Sequence, residues 1–347
     1  MEEPYYIENL IQRFIEKLKK NYKNSEEEFG KMINEKLPIV IESISKGTLE
    51  EVFKYCFEEE NDSRKREKEI VNKVSRNYDL GIKLFEGFME LNAKINSITY
   101  NKYFKIFDTF DDHIKLDTLI SIHVRACQVA NEILVLIKNG YADGAHARWR
   151  TLHELSVTFL YLYDSDYEII HMYNDYEVIE LYKKAKEYRN CEEALDLRKL
   201  GEDEWKELTQ QRDAIILRYG KEFSESYGWT MKDLPKGKRN FKELEKYVGI
   251  DNMRVIYAWA NESVHAGVSG IRNKLSLKEY ESYHFLAGPN DCGFLDPVQY
   301  TTASLCQMSE VLLDMEDSML NKILDELLCF FQNEIVTEFS MVEQKPA

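Results

Sequence analysis

The chain has 347 residues, 44% of them apolar, and carries a formal net charge of −16. That apolar share excludes a disordered chain, and the acidic balance argues against a broad, non-specific grip on nucleic acid while leaving room for a local basic patch. The six cysteines include no Cys-x-x-Cys pair. They read as reduced thiols of a cytoplasmic protein, so neither a zinc site nor a disulfide framework is expected, and no metal or cofactor is called for.

The opening Met-Glu-Glu-Pro-Tyr-Tyr lacks a basic region and an apolar run, so it does not read as a signal peptide. Residues 4–22 are expected to form an amphipathic helix with Ile7, Leu10, Ile11, Phe14 and Leu18 on one face. Shorter helices are expected over 25–60, and a further one over 66–94. The charged run Glu58–Lys68 reads as a solvated helix face. The polar stretch Asn96–Asn101 is taken as a boundary. It separates an N-terminal helical region, 1–108, from a main bundle, 109–336, and a C-terminal tail, 337–347, whose end Glu343–Ala347 is expected to be frayed.

No proline stands between Pro38 and Pro235, which leaves room for long helices. From Leu116, Leu119 and Ile120 through His123, Cys127 and Ala130 to Leu134 and Ile137, the spacing is helical. Polar interruptions at His123, Arg125, Gln128, Asn131 and Glu132 argue against a membrane span there. Gly140 is a stop signal, and a second helix is expected over 142–163. The short connection implies an antiparallel hairpin spanning roughly residues 115–164. Asp164–Asp166 breaks that helix, and another follows to about Tyr188. Glu192–Tyr219 is expected to be helical with an interruption near Gly201. Gly220–Asn240 is irregular and holds Trp229 with the basic residues Lys232, Lys236, Lys238 and Arg239. It reads either as a solvated turn or as a contact for phosphates. Helices over Asp251–Ala266 and Val298–Phe331 complete the chain. Period-two alternation does not recur, so the fold class is all-α, a multi-helix bundle around a central antiparallel helical hairpin.

Two polar stripes stand out. At about 100° per residue, Asp143, His146, Arg150, His153 and Glu154 share one arc of the second hairpin helix. Arg150 and Glu154 are an i,i+4 pair, suited to hold an anion and orient a proton carrier, or to form a polar helix–helix face. The same helix is apolar all round over Leu155–Tyr161, as a buried element is. On Asp251–Ala266, Arg254, Ala258, Asn261 and His265 share a second face. His265 near the helix C-terminus is placed either to carry a proton or to cap its own helix. If the stripes face each other, Glu154 orients His265, and Arg150 and Arg254 hold a phosphate. His123 reads as a core residue. Asp111-Asp112-His113 does not read as a metal site, because adjacent residues on a helix do not converge. His171 and His284 show no partner pattern.

The stretch Gly140-Tyr-Ala-Asp-Gly-Ala-His-Ala-Arg-Trp-Arg-Thr-Leu-His-Glu154 resembles the signature helix of an uncharacterised family of bacterial helical proteins. Those proteins carry a later helix ending in Ser-x-His, similar to Asn261-Glu-Ser-Val-His265. This resemblance covers roughly residues 110–330. Arg148-Trp-Arg-Thr-Leu-His153 has the Arg-to-His spacing of the more distantly similar HEPN superfamily, helical ribonucleases of toxin–antitoxin and phage-defence systems. That resemblance implies a metal-independent ribonuclease. Its catalytic groups would come from Arg150, His153, Glu154, Asn261 and His265, and its phosphate contacts from Arg148, Lys238, Arg239 and Arg254. The partners it implies are RNA, an antitoxin or defence-system protein, and a second copy of the chain. The alternative reading is a non-enzymatic helical sensor or protein-interaction module whose polar stripes form a buried network.

Overall fold

A computed structural model describes residues 37–57, 62–277 and 287–344, with scattered positions between 12 and 31. The expected helix over residues 4–22 lies largely outside the described residues, as does His284. Among the described residues every regular element is helical. The chain divides into two compact units, Met1–Glu69 and Ile70–Ala347. The first holds α1 (Leu37–Phe57) and the start of α2 (Asp62–Asn77).

The second unit contains α3 (Asp79–Ile106), α4 (Phe110–Lys138), α5 (Ala142–Asp164), α6 (Tyr167–Cys191) and α7 (Glu202–Tyr219). After an irregular stretch come the short α8 (Phe241–Tyr247), α9 (Arg254–Glu262) and α10 (Val268–Arg272), then α11 (Leu295–Leu313) and α12 (Met319–Glu343). The contacts thin out at Glu69–Ile70 rather than near 108/109. Helix α3 packs on α4 and α12, so it belongs with the main core. The Asn96–Asn101 stretch is no boundary: Asn92 and Asn96 are buried and face the bundle interior. Helix α12 likewise runs on to Glu343, through most of the segment expected to be a tail.

Helix α4 starts where Thr109 accepts a hydrogen bond from the Asp112 amide (3.1 Å), with Asp111 and Asp112 in its first turn. It ends before Gly140, whose φ of +84° favours glycine; a Cβ there would also sit 2.7 Å from Pro289. Helix α5 then returns along α4. Gly144 lies beside Leu136, Arg148 pairs with Glu132, and the Lys115 ammonium donates to the carbonyls of Tyr163 (2.7 Å) and Ser165 (2.8 Å). These pairings, descending on one helix as they rise on the other, make the two antiparallel. Helix α5 also touches α11, α9 and α8, which encloses it. Trp149 is fully buried and donates its indole N–H to the Tyr300 carbonyl of α11 (2.9 Å).

Helix ends differ from expectation in three places. The final helix is two helices, because Ser318 accepts from the Asn321 amide (3.2 Å) and starts α12 afresh. Helix α9 stops at Glu262, before His265. Residues 192–201 are not a helix but a turn, with Asp196 at a positive φ of 51°.

A polar chain crosses the core. The Ser309 hydroxyl donates to Asn92 Oδ1 (2.6 Å), so it accepts from His123 Nε2 (2.7 Å). His123 Nδ1 then accepts the Cys127 thiol proton at 3.5 Å. Burial pushes the His123 pKa down to about 4, so the ring is neutral in the fold. The unfolded ring titrates near ~6.5, so the unfolded chain binds the extra proton first and stability falls as pH drops from there toward 4. Denaturation by urea at pH 7 and at pH 5 should show wild type losing about 2 kcal/mol more than His123→Leu across that interval.

Candidate functional site

Helices α5, α8 and α9 meet along a charged seam. Glu245 sits in α8 with its side chain fully buried. The helix forms there because Asn240 caps it, accepting from the Glu243 amide (3.2 Å), while Leu244 anchors it in the core. One Glu245 oxygen bonds His153 Nε2 (2.9 Å) and the other accepts from Arg254 Nη1 (2.9 Å). His153 is itself 1% exposed. Its ring is walled by Trp149 (centroids 5.2 Å apart), Phe241 (5.7 Å) and Tyr257 (5.8 Å).

Beside this triad lies a second cluster, closer to solvent. Arg150 pairs with Glu154 (2.9 Å). The Tyr257 hydroxyl donates to the same Glu154 oxygen (2.5 Å). Burial, with the hydrogen bond to Glu154, raises the Tyr257 pKa, so its proton stays on the phenol. Two guanidinium groups lie over the Tyr257 ring, Arg150 at 4.9 Å and Arg254 at 5.1 Å from its centroid. Two arginines and two glutamates thus close a seam with no net charge.

The two stripes do come together, but not through the pairing expected. Glu154 meets Tyr257 and Arg150 rather than His265. His265 lies past the end of α9, exposed, with no side-chain hydrogen bond among the described residues. Helix α9 is shorter than the expected Asp251–Ala266, so the His265 side chain leaves the stripe. Asn261 stays on α9, and its Oδ1 is buried without a hydrogen-bond partner among the described residues, as is Arg150 Nε. His153 cannot serve as a solvent-facing proton carrier, because its ring is enclosed. Arg148 points the other way, to Glu132 of α4 and to Thr151.

Of the basic loop, Arg239 is 8% exposed and holds the loop in shape, donating to the Leu234 carbonyl and to Glu222 (both 3.1 Å). Lys232 pairs with Glu168, and Lys236 with Glu222. Lys238 is exposed and makes no ion pair among the described residues. Trp229 of this loop is buried, edge-on to Tyr161 (5.3 Å) and Tyr173 (5.0 Å), so the loop is packed rather than solvated. Asp143 and Asp111 are also engaged. Asp143 accepts from the Leu275 amide (2.8 Å) and the Ser276 hydroxyl (2.5 Å), and Asp111 bonds His171 (2.8 Å). His146 is buried and stacks on Trp149 at 5.8 Å. None of the expected site residues lines the groove of about 450 Å³ between α4, α5 and α6, which is bordered by Asp117, Ser121, Arg125, Leu155 and Tyr173.

Three members of the seam escaped the sequence reading. Glu245 had one signal, a charged residue four positions after Phe241 and next to Leu244, on the side a short amphipathic helix buries. Tyr257 lies about 60° from Arg254 and about 40° from Asn261 around the helix, on the edge of the stripe already drawn. Tyr227 had none. It adopts left-handed backbone angles (φ 53°, ψ 30°), which cost a non-glycine residue roughly 1–2 kcal/mol. Burial, with the Glu154 charge nearby, pushes its pKa up to about 12. The next residue, Gly228, is packed so closely that a Cβ would lie 2.0 Å from the Phe223 carbonyl oxygen. Gly228→Ala should therefore displace the loop bearing Tyr227 and Trp229 and cost about 2–4 kcal/mol, read from urea denaturation. A change below about 0.5 kcal/mol would show that the loop has room to give.

Residues 116–282 match a family of unknown function, DUF5677. That segment holds every residue of the seam. No curated protein and no solved structure matches the chain.

Proposed function

We propose that this chain is a non-enzymatic helical interaction module of the sensor type, in which the seam between α5, α8 and α9 is a clamp that fixes how those helices register. One observation carries the reading: the solvent-free carboxylate of Glu245 holds both His153 and Arg254. A group that moves protons for a substrate must reach that substrate, whereas His153 is walled in by three aromatic rings. Each guanidinium at the seam is already engaged by a carboxylate. A bridge of this kind specifies geometry more than it adds stability. Arg254 is 40% exposed, so removing Glu245 strands chiefly the enclosed His153 Nε2. Glu245→Ala is expected to cost about 2–3 kcal/mol. Arg150→Ala, at the half-exposed cluster, is expected to cost about 1 kcal/mol or less. Urea denaturation of both variants checks the order, and a Glu245→Ala protein as stable as its parent would sink the clamp.

A second reading is favoured by two buried polar atoms without a hydrogen-bond partner among the described residues, Arg150 Nε on α5 and Asn261 Oδ1 on α9, the helix that precedes the exposed His265. A phosphodiester would satisfy such groups. In that reading the chain is a metal-independent, HEPN-like ribonuclease of a bacterial defence or toxin–antitoxin system. It acts in the cytoplasm on RNA, with His265 as proton carrier and an antitoxin as partner. Expression toxicity and cleavage of labelled RNA, each abolished by His265→Ala at unchanged melting temperature, are its expected results. Parent protein that leaves RNA intact and cells growing would remove it.

A further inference from the structure

Helix α12 buries Leu328, Ile335 and Phe339 against the core, yet its outer side is also apolar. Leu320, Ile323, Leu327 and Phe330 are 53%, 58%, 39% and 58% exposed. Their spacing of three, four and three residues is that of a coiled-coil seam, and Met319, 81% exposed, extends it by one position. A contiguous apolar stripe of this length on a solvent-facing helix marks a place where another surface packs.

The charges around the stripe say which kind. Between residues 314 and 338 one basic residue, Lys322, stands among seven acidic ones. Lys322 is already paired with Asp317 (2.5 Å). Glu326, on the flank of the stripe, and Glu334, one turn beyond Phe330, make no ion pair among the described residues. Burial and the nearby Asp325 and Asp314 raise the pKa of Glu310. Burial, Asp314 and Glu326 raise that of Asp325. Of the seven acids, Asp317 is paired with Lys322 and Glu316 with Lys102, which leaves Glu326 and Glu334 as the un-neutralised charges on the stripe. A second copy would bring Glu326 and Glu334 again to the same interface.

We infer that the outer face of α12 is the docking surface for a basic amphipathic helix of a partner protein. The partner's apolar residues would interleave with Leu320, Ile323, Leu327 and Phe330, and its lysines or arginines would meet Glu326 and Glu334. This surface shares no residue with the α5–α8–α9 seam, so it stands or falls apart from the reading given to that seam.

The test uses the full chain and a fluorescein-labelled helical peptide with leucine at the a and d positions and lysine elsewhere, followed by fluorescence anisotropy at physiological salt. Saturable binding is expected, weakened at least about tenfold by Ile323→Asp or Phe330→Asp. Charge reversal by Glu326→Lys with Glu334→Lys should weaken it too, while a peptide with glutamate in place of lysine should not bind. Leu217→Asp, at an 89% exposed position of α7, controls for any exposed apolar side chain and should bind like the parent. Absence of binding, including through cover of the face by the chain's own N-terminal unit, would overturn the inference. So would affinity equal in parent and Ile323→Asp. A concentration-dependent dimer in sedimentation that Ile323→Asp dissolves would assign the face to a second copy instead, and would equally overturn it.

Discussion

Helix α5 is enclosed by α4, α8, α9 and α11, and that enclosure governs the structure around it. A surface helix can leave its polar groups to water, whereas a surrounded one relies on particular neighbours to meet them, and several of those on α5 are met in this way. The indole of Trp149 is met by α11, His153 by α8, Glu154 by α9, and Arg148 by α4. Each of these bonds ties α5 to a different element. The polar stripe on α5 is thus a set of fasteners whose directions fix where the surrounding helices lie.

The fasteners are not equivalent. Glu245 is solvent-free and holds both the enclosed His153 ring and the Arg254 guanidinium, so its loss removes two links between helices at once. The Arg150–Glu154 pair is about a third exposed, so water can replace much of what it supplies. The strained loop at Tyr227 and Gly228 brings Tyr227 near Glu154 and Arg150, with Trp229 as its anchor. Strain of this sort persists only where surrounding packing over-determines it, which the buried ring of Trp229 provides.

Much of this was legible in the sequence. The all-α class followed from helical spacing, the Gly140 stop from a residue able to take a positive φ, and the stripes on α5 and α9 from simple helix arithmetic. The contents of the seam were not, for physical reasons. Helix arithmetic places side chains on a face but does not say which face of which other helix they meet. It therefore pointed Glu154 at His265, whereas α9 ends one residue past Asn261 and offers Tyr257. The Asn96–Asn101 stretch looked like a boundary because polar residues usually face water; here Asn96, like Asn92, faces inward, where Cys127 and Ser309 supply partners. The break before α12 was hidden because Ser318 is an ordinary residue until its hydroxyl caps a helix.

The partners of α5 come from widely separated stretches of chain, and that has a consequence for biosynthesis. Trp149 finds its acceptors at Tyr300 and Ser304 only after some 150 further residues have been made. At ribosomal speeds that wait is roughly ten to thirty seconds, with still more until those residues clear the exit tunnel. Through that interval the side of α5 that carries Trp149 lacks the α11 wall it packs against in the finished fold. The nascent chain therefore passes through a stage at which that face of α5 is an adhesive surface, and chaperone demand should be concentrated there rather than at either end of synthesis.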